Sequence, residues 1–240
     1  MEETSKPNNL SIPVAIVIAG FLIAGAVYLS MGRAGTAGTQ KPQVAEQQSG
    51  NLEKMAVITS DDHIRGNPNA SVKIVEYSDM ECPFCKSFHS TMKKVMDEYG
   101  KDGKVAWVYR HFPLDSIHSK ARTEAVATEC VNELAGNDAF WKYTDRWFEL
   151  TPSNNQTDTQ TVLPQIAREI GLGGAQFASC LTSGKYNDHV QKNLDNAIAT
   201  GGNGTPWSIV VTASGKKYPL SGAQPYTAVK QLIELALQEK

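Results

Sequence analysis

Cys82 and Cys85, held two residues apart in the run Tyr77-Ser-Asp-Met-Glu-Cys-Pro-Phe-Cys-Lys-Ser-Phe88, are the side chains best suited to chemistry. Such a pair can be half of a zinc site, a crosslink, or a working thiol–disulfide couple. A zinc site needs further ligands, yet Cys130 and Cys180 stand alone and the nearest histidine, His89, falls on the same expected helix. A Cys82–Cys85 crosslink closes so small a loop that it removes little unfolded-state entropy. The redox couple is the reading the surroundings favour. Val72-Lys-Ile-Val-Glu-Tyr-Ser78 has the alternation of a strand, and Phe84, Phe88, Met92, Val95/Met96 and Tyr99 follow at helical spacing until Gly100. The cysteines therefore open a helix, where free N–H groups and the positive end of the dipole stabilise an anion. A thiol of ordinary pKa about 8.5 becomes far more ionised in such a place. Cys82 is expected to be the exposed nucleophile and Cys85 the resolving thiol, with Pro83 suited to the first helical turn, which needs no N–H.

Two more residues bear on this pair. Glu76 shares a strand face with Val72 and Ile74, so its carboxyl points where apolar side chains point. Buried, it would have a raised pKa and could exchange a proton with Cys85; at a strand end it would simply reach water. Asp79 and Glu81 read as loop residues that modulate the local field. Far along the chain, Gly204-Thr-Pro-Trp207 opens a further strand, and a cis Thr205–Pro206 bond would turn the backbone so that Thr205 could pair with an extended substrate.

The elements that must position these groups form a simple series. Lys104 to Phe112 is a second strand, apolar on both faces and so interior, completing a βαβ opening. Residues 116–201 read as helical, with breaks at Gly136-Asn137, 151–155, 171–174 and Ser183-Gly184 that allow four or five helices. Strands at 207–212 and 217–221 and an amphipathic helix at 226–237 close the chain, giving an α/β sheet with a helical insert. The aromatic group Phe140, Trp141, Tyr143, Trp147 and Phe148 is expected to pack that insert onto the sheet. His63, His89, His111, His118 and His189 show no ligand spacing, and no metal is expected.

The chain has 240 residues with 23 basic and 25 acidic side chains, which excludes a nucleic-acid binder, because phosphate neutralisation needs a basic face. Ile12 to Met31 is a charge-free run long enough to cross a bilayer at 1.5 Å per residue. Glu2 and Glu3 make a poor signal-peptide n-region, which favours a retained anchor over a cleaved leader. Residues 32–55 read as a flexible tether, and residues 56–240 as the folded domain. Lys6 before the span and Arg33 and Lys41 after it leave the orientation undecided by charge.

The residues VEYSDMECPFC, YRHFPLDSIHSKARTEAVATEC, NDAFWKYTDRWFE and GTPW together resemble the DsbA-like thiol–disulfide oxidoreductases of the thioredoxin superfamily, of the membrane-tethered type. The resemblance spans roughly residues 56–240. It implies a thioredoxin fold interrupted by an all-helical domain at about 116–201, with an N-terminal transmembrane helix and tether in front. It further implies Cys82 attacking, Cys85 resolving, Glu76 as the buried acid, and cis Pro206 with Thr205, Pro83 and Phe84 lining the substrate. A structural Cys130–Cys180 disulfide in the insert is implied too, and with it an oxidising compartment that places the domain outside the cytoplasm, in a periplasm or on the envelope exterior. Reduced or misfolded proteins are the implied substrates, a quinone-linked membrane protein the implied reoxidase, and no cofactor is implied. One departure is visible: the best-known members carry His where this chain has Phe84. A reductase or isomerase, or a binding module for unfolded chains, remain the rival readings.

Overall fold

The computed structural model describes residues 51–239. The expected membrane span Ile12–Met31, and the tether up to residue 50, lie outside these residues. Among the described residues no helix is long and apolar enough to cross a membrane. The first described element is a 3-10 turn, Leu52–Lys54, capped by Asn51. Leu52, Met55 and Ile58 pack against an apolar cluster, so the folded unit reaches back into the stretch expected to be tether.

Five strands form one mixed sheet: β1 (His63–Gly66), β2 (Val72–Ser78), β3 (Val105–His111), β4 (Trp207–Val211) and β5 (Lys217–Ser221). Their order is β1-β3-β2-β4-β5. Only β2 and β3 run parallel; β1, β4 and β5 pair antiparallel with their neighbours. Every residue of β3 is buried, which explains its apolar reading on both faces. The strand β1, read from sequence only as the start of the domain, is short and polar (HIRG) and exists through its ladder with β3.

Side-chain alternation divides the core in two. Val72, Ile74, Trp107 and Tyr109 point to the larger cluster, with Phe88, Met92, Phe140 and Trp147, while Val75, Tyr77, Val108, Trp207 and Ile209 point to the smaller one. Glu76 is in register with Val72 and Ile74, hence on the larger cluster's side.

Helix α1 (Pro83–Val95) joins β2 to β3 and ends in a π-helical turn, Met96–Gly100. Its buried stripe is Cys85, Phe88, His89, Met92 and Val95. Phe84, expected on that stripe, is 65% exposed, because one residue on, at 100° around the axis, Cys85 takes the inner position.

Between β3 and β4 lie α2 (Ala121–Leu150), α3 (Thr159–Glu169), α4 (Gly174–Thr182) and α5 (Asn187–Ala199); α6 (Tyr226–Gln238) ends the domain. Helix α2 is interrupted at Gly136, whose φ of 79° and ψ of −179° are not helical and are rarely adopted by an L side chain, so its two helical segments meet at the expected break. The aromatic group of α2 is buried. Trp141 lies 4.7 Å from Trp107 between ring centroids, Phe140 lies 5.5 Å from Tyr109, and the insert is thereby pressed onto β3.

Candidate active site

The end of β2, the turn Asp79-Met-Glu81 and the start of α1 bring the chemistry together. Cys82 is the N-cap residue of α1 in extended conformation (φ −78°, ψ 122°), and Pro83 occupies the first turn. Two contacts fix the turn: the Cys82 N–H donates to the Asp79 carbonyl (3.2 Å), and the Trp147 indole N–H donates to the Met80 carbonyl (2.9 Å). Cys82 and Cys85 are unbridged.

The two sulfurs have opposite electrostatics. Hydrogen bonding from the Cys85 thiol, and further from Thr205 and the N–H groups of Cys85 and Phe84, outweighs burial and lowers the Cys82 pKa to about 6. Burial, with the neighbouring Cys82 and Glu76 charges, raises Cys85 well above an ordinary thiol. The Cys85 thiol, helped by the helix start, thus favours ionisation of Cys82, while burial keeps the proton on Cys85.

Cys82 is not the open nucleophile expected from sequence: it is 3% exposed, against none for Cys85. The reason is the segment before β4, whose Thr205 carbonyl lies 3.5 Å from Cys82 Sγ. The Thr205–Pro206 bond is cis. The Thr205 hydroxyl is buried with no other partner, free to donate to the thiolate. Beside this covered sulfur, Phe84 projects into solvent.

Glu76 is fully buried, which excludes the reading of a strand end in water. Burial pushes its pKa up to about 7, against the lowering effect of the Trp107 indole, whose N–H donates to Oε2 at 2.8 Å. Its Oε1 has no partner. The carboxyl is electrostatically coupled to both sulfurs, so it can hold or release a proton near neutrality beside them.

Asp79 and Glu81 do lie in a loop, but both are buried. Asp79 accepts from the Leu114 N–H (2.7 Å), the Glu81 N–H (2.7 Å) and His118 Nδ1 (2.9 Å). Burial disfavours charge on His118, yet Asp79 and the nearby Cys82 hold its pKa above the usual imidazole value. Glu81 Oε2 accepts from the Asn155 N–H (2.6 Å), and its carbonyl from the Asn154 N–H (2.8 Å). Ser153, Asn154 and Asn155 all have left-handed backbones, which Asn tolerates better than most residues. Glu124 of α2 is pushed up to about 10 by burial and by the neighbouring Glu81 carboxylate.

Sequence reasoning missed Trp107, His118, Glu124 and the Asn154–Asn155 clamp. The Asn-Asn pair after Pro152-Ser153 was a usable signal, since those residues favour turns. The others come from separate elements and carry no mutual spacing. The five histidines, given no role, all face carboxylates: His63, His111 and His189 face Glu129, His89 faces Asp145, and His118 faces Asp79. Cys130 of α2 and Cys180 of α4 are joined in a disulfide.

Comparison with known proteins gives three findings. Residues 59–234 match the family model described as thioredoxin. Among solved structures, Pseudomonas aeruginosa DsbA2 superposes with a TM-score of 0.62 at 28% identity, covering 72% of this chain and 93% of that one. BdbD from Bacillus subtilis, in its oxidised form, gives 0.65 at 24% identity, covering 74% and 93%, a likeness of fold. Among curated relatives, a protein named Na(+)/H(+) antiporter NhaA 1 of Mycolicibacterium gilvum is 32% identical over 160 residues, 65% of this chain and 24% of that protein. The chain spans about a quarter of the length of the curated relatives it matches first, so the antiporter name belongs to proteins much longer than the matched segment.

Proposed function

The chain belongs to the thioredoxin family, as a DsbA-like member, and from that premise we propose that it inserts disulfides into reduced proteins outside the cytoplasm. It is a thiol–disulfide oxidoreductase, and Cys82 and Cys85 are its working pair. The observation that carries this is the polarity of the two sulfurs, one lowered to about 6 and the other raised, over a buried acid.

In the oxidised enzyme a substrate thiolate attacks Cys82 Sγ. The Cys82–Cys85 bond breaks, Cys85 leaves with the electron pair and takes a proton from Glu76, and a mixed disulfide forms. A second substrate thiolate then attacks the substrate sulfur of that bond and expels Cys82 as a thiolate. The substrate loses two electrons and the enzyme gains them. Thr205 and Pro206, with Pro83 and the exposed Phe84, line the approach that an extended chain takes to the covered sulfur. Reoxidation falls to a quinone-linked membrane partner.

Ile12–Met31 anchors the domain to the inner membrane, with the domain on the periplasmic or exterior face. The Cys130–Cys180 bridge supports an oxidising compartment.

The oxidising strength can be bounded. A thiolate of pKa about 6 favours the reduced enzyme at pH 7 by about 1.4 kcal/mol over an ordinary thiol, equivalent to about 30 mV. This is a moderate driving force, and a glutathione redox titration tests it. A potential between about −120 and −250 mV supports the oxidase reading. A value at or below about −270 mV, the thioredoxin range, replaces it with a reductase.

A further inference from the structure

Away from the thiols, three imidazoles converge on one carboxylate oxygen. His63 Nε2 of β1 and His111 Nε2 at the end of β3 each lie 2.8 Å from Glu129 Oε1 of α2, and His189 Nε2 of α5 lies 3.2 Å from the same atom. His63, His111 and Glu129 are buried, whereas the His189 side chain is 35% exposed and gives a way in from solvent. Candidate ligand atoms of the buried three lie within 4.8 Å of one another. The thiol chemistry uses none of these residues.

We propose that His63, His111 and Glu129, completed by His189, bind a divalent first-row transition metal of the zinc class. Three imidazole nitrogens and one carboxylate oxygen suit Zn²⁺ or Co²⁺, whereas Ca²⁺ and Mg²⁺ take oxygen donors. The ligands come from two strands and two helices, so a bound ion would tie β1 and β3 to the insert.

The electrostatics of the cluster pull both ways, because the hydrogen bond to Glu129 raises the His189 pKa and a metal must displace that proton. Burial lowers the His111 pKa, which keeps a lone pair available at neutral pH. Burial opposes charge on Glu129, but the surrounding histidines hold its pKa well below the usual range, so it is an ionised ligand. Binding requires a rearrangement: the protons on the His63 and His111 Nε2 atoms move to Nδ1 or to solvent, and Glu129 Oε1 retreats to admit metal–ligand distances of about 2.0 to 2.2 Å. His111 Nδ1 is buried with no partner, so the change of tautomer at that ring leaves a buried N–H unpaired, a cost that the metal–ligand bonds must exceed.

The test uses the full chain with Cys82–Cys85 oxidised, so that thiolates cannot compete for metal. Titration with Zn²⁺ by calorimetry and with Co²⁺ by visible absorption is expected to show one equivalent bound, d–d bands without a thiolate charge-transfer band, and a melting temperature that rises with metal. His63→Asn is expected to abolish binding. His189→Asn, at a partly exposed position that leaves the fold intact, is expected to weaken it at least about tenfold. Absence of binding by the oxidised wild-type chain overturns the proposal, as does an affinity unchanged in either folded variant; the cluster is then an ordinary hydrogen-bonded hub. Neither outcome bears on thiol exchange, which is measured separately.

Discussion

Two pairs of cysteines in one chain have opposite fates. Cys130 and Cys180 are 50 residues apart, sit on helices of the insert and are joined; Cys82 and Cys85 are one helical turn apart and free. The first pair is set in a helical domain and closes a long loop, which stabilises the fold by about 4 kcal/mol in the chain-entropy model. The second closes almost no loop and lies among a helix N-terminus, the Thr205 hydroxyl and the buried Glu76. Surroundings, rather than the sulfur atoms themselves, set the pairs apart, one joined and the other unbridged with its two pKa values driven in opposite directions.

Exchanging the roles of the two pairs by mutation gives the largest expected effects. Cys82→Ser is expected to abolish exchange with a reduced model peptide and to cost the reduced protein only about 1.4 kcal/mol of denaturant stability at pH 7, the share of the thiolate itself. The double variant Cys130→Ala/Cys180→Ala is expected to lose about 4 kcal/mol in the same denaturation experiment while exchange persists in the fraction that folds. Exchange in Cys82→Ser, or undiminished stability in the double variant, breaks the contrast.

Glu76 sharpens it by stability. Its pKa, raised to about 7 in the folded protein, means that the stability present below the unfolded value near 4.5 is lost as pH rises toward 7. Glu76→Gln, which keeps an acceptor for Trp107, is therefore expected to stabilise the domain by about 3 kcal/mol at pH 8 and only about 1 kcal/mol at pH 5. A pH-independent effect in urea titrations would remove Glu76 from the proton path. Cys82 has the opposite sign. Its lowered pKa favours the folded reduced form above the unfolded thiol value, and this advantage fades as pH falls through about 6. The stability gap between reduced and oxidised protein is expected to narrow over that range.

Smaller effects come from the groups around the sulfur. Thr205→Val removes one charge-assisted hydrogen bond of about 1.5 kcal/mol, which raises the Cys82 titration midpoint by roughly one pH unit. His118→Gln removes only a nearby charge and is expected to shift the same midpoint upward by less. A larger effect from His118 than from Thr205 would reverse their order and point to this imidazole in place of the one that Phe84 displaces.

Local patterns made much of this legible in the sequence. The strand before Cys82, the helix after it, the late Thr205-Pro206 segment and the helical insert all follow from periodicity and from Gly and Pro positions. The strand β1 was unreadable because four residues, one of them glycine, carry no alternation of their own. Burial of Cys82 was equally hidden, since the carbonyl that covers it comes from a segment 123 residues away. The same holds for Glu124 against Glu81 and for three histidines on Glu129: convergence in space leaves no spacing in sequence. Phe84 shows the converse, a residue with apolar helical spacing that folding leaves in water.

Disulfide transfer by this pair depends on the ease with which Cys82 gives up its proton. Ultraviolet thiolate absorbance of the reduced full chain, titrated against pH beside Cys82→Ser, measures this directly. A transition near pH 6 that is missing from the variant is the expected result; a first thiolate appearing only above about pH 8, as for an ordinary cysteine, would contradict it.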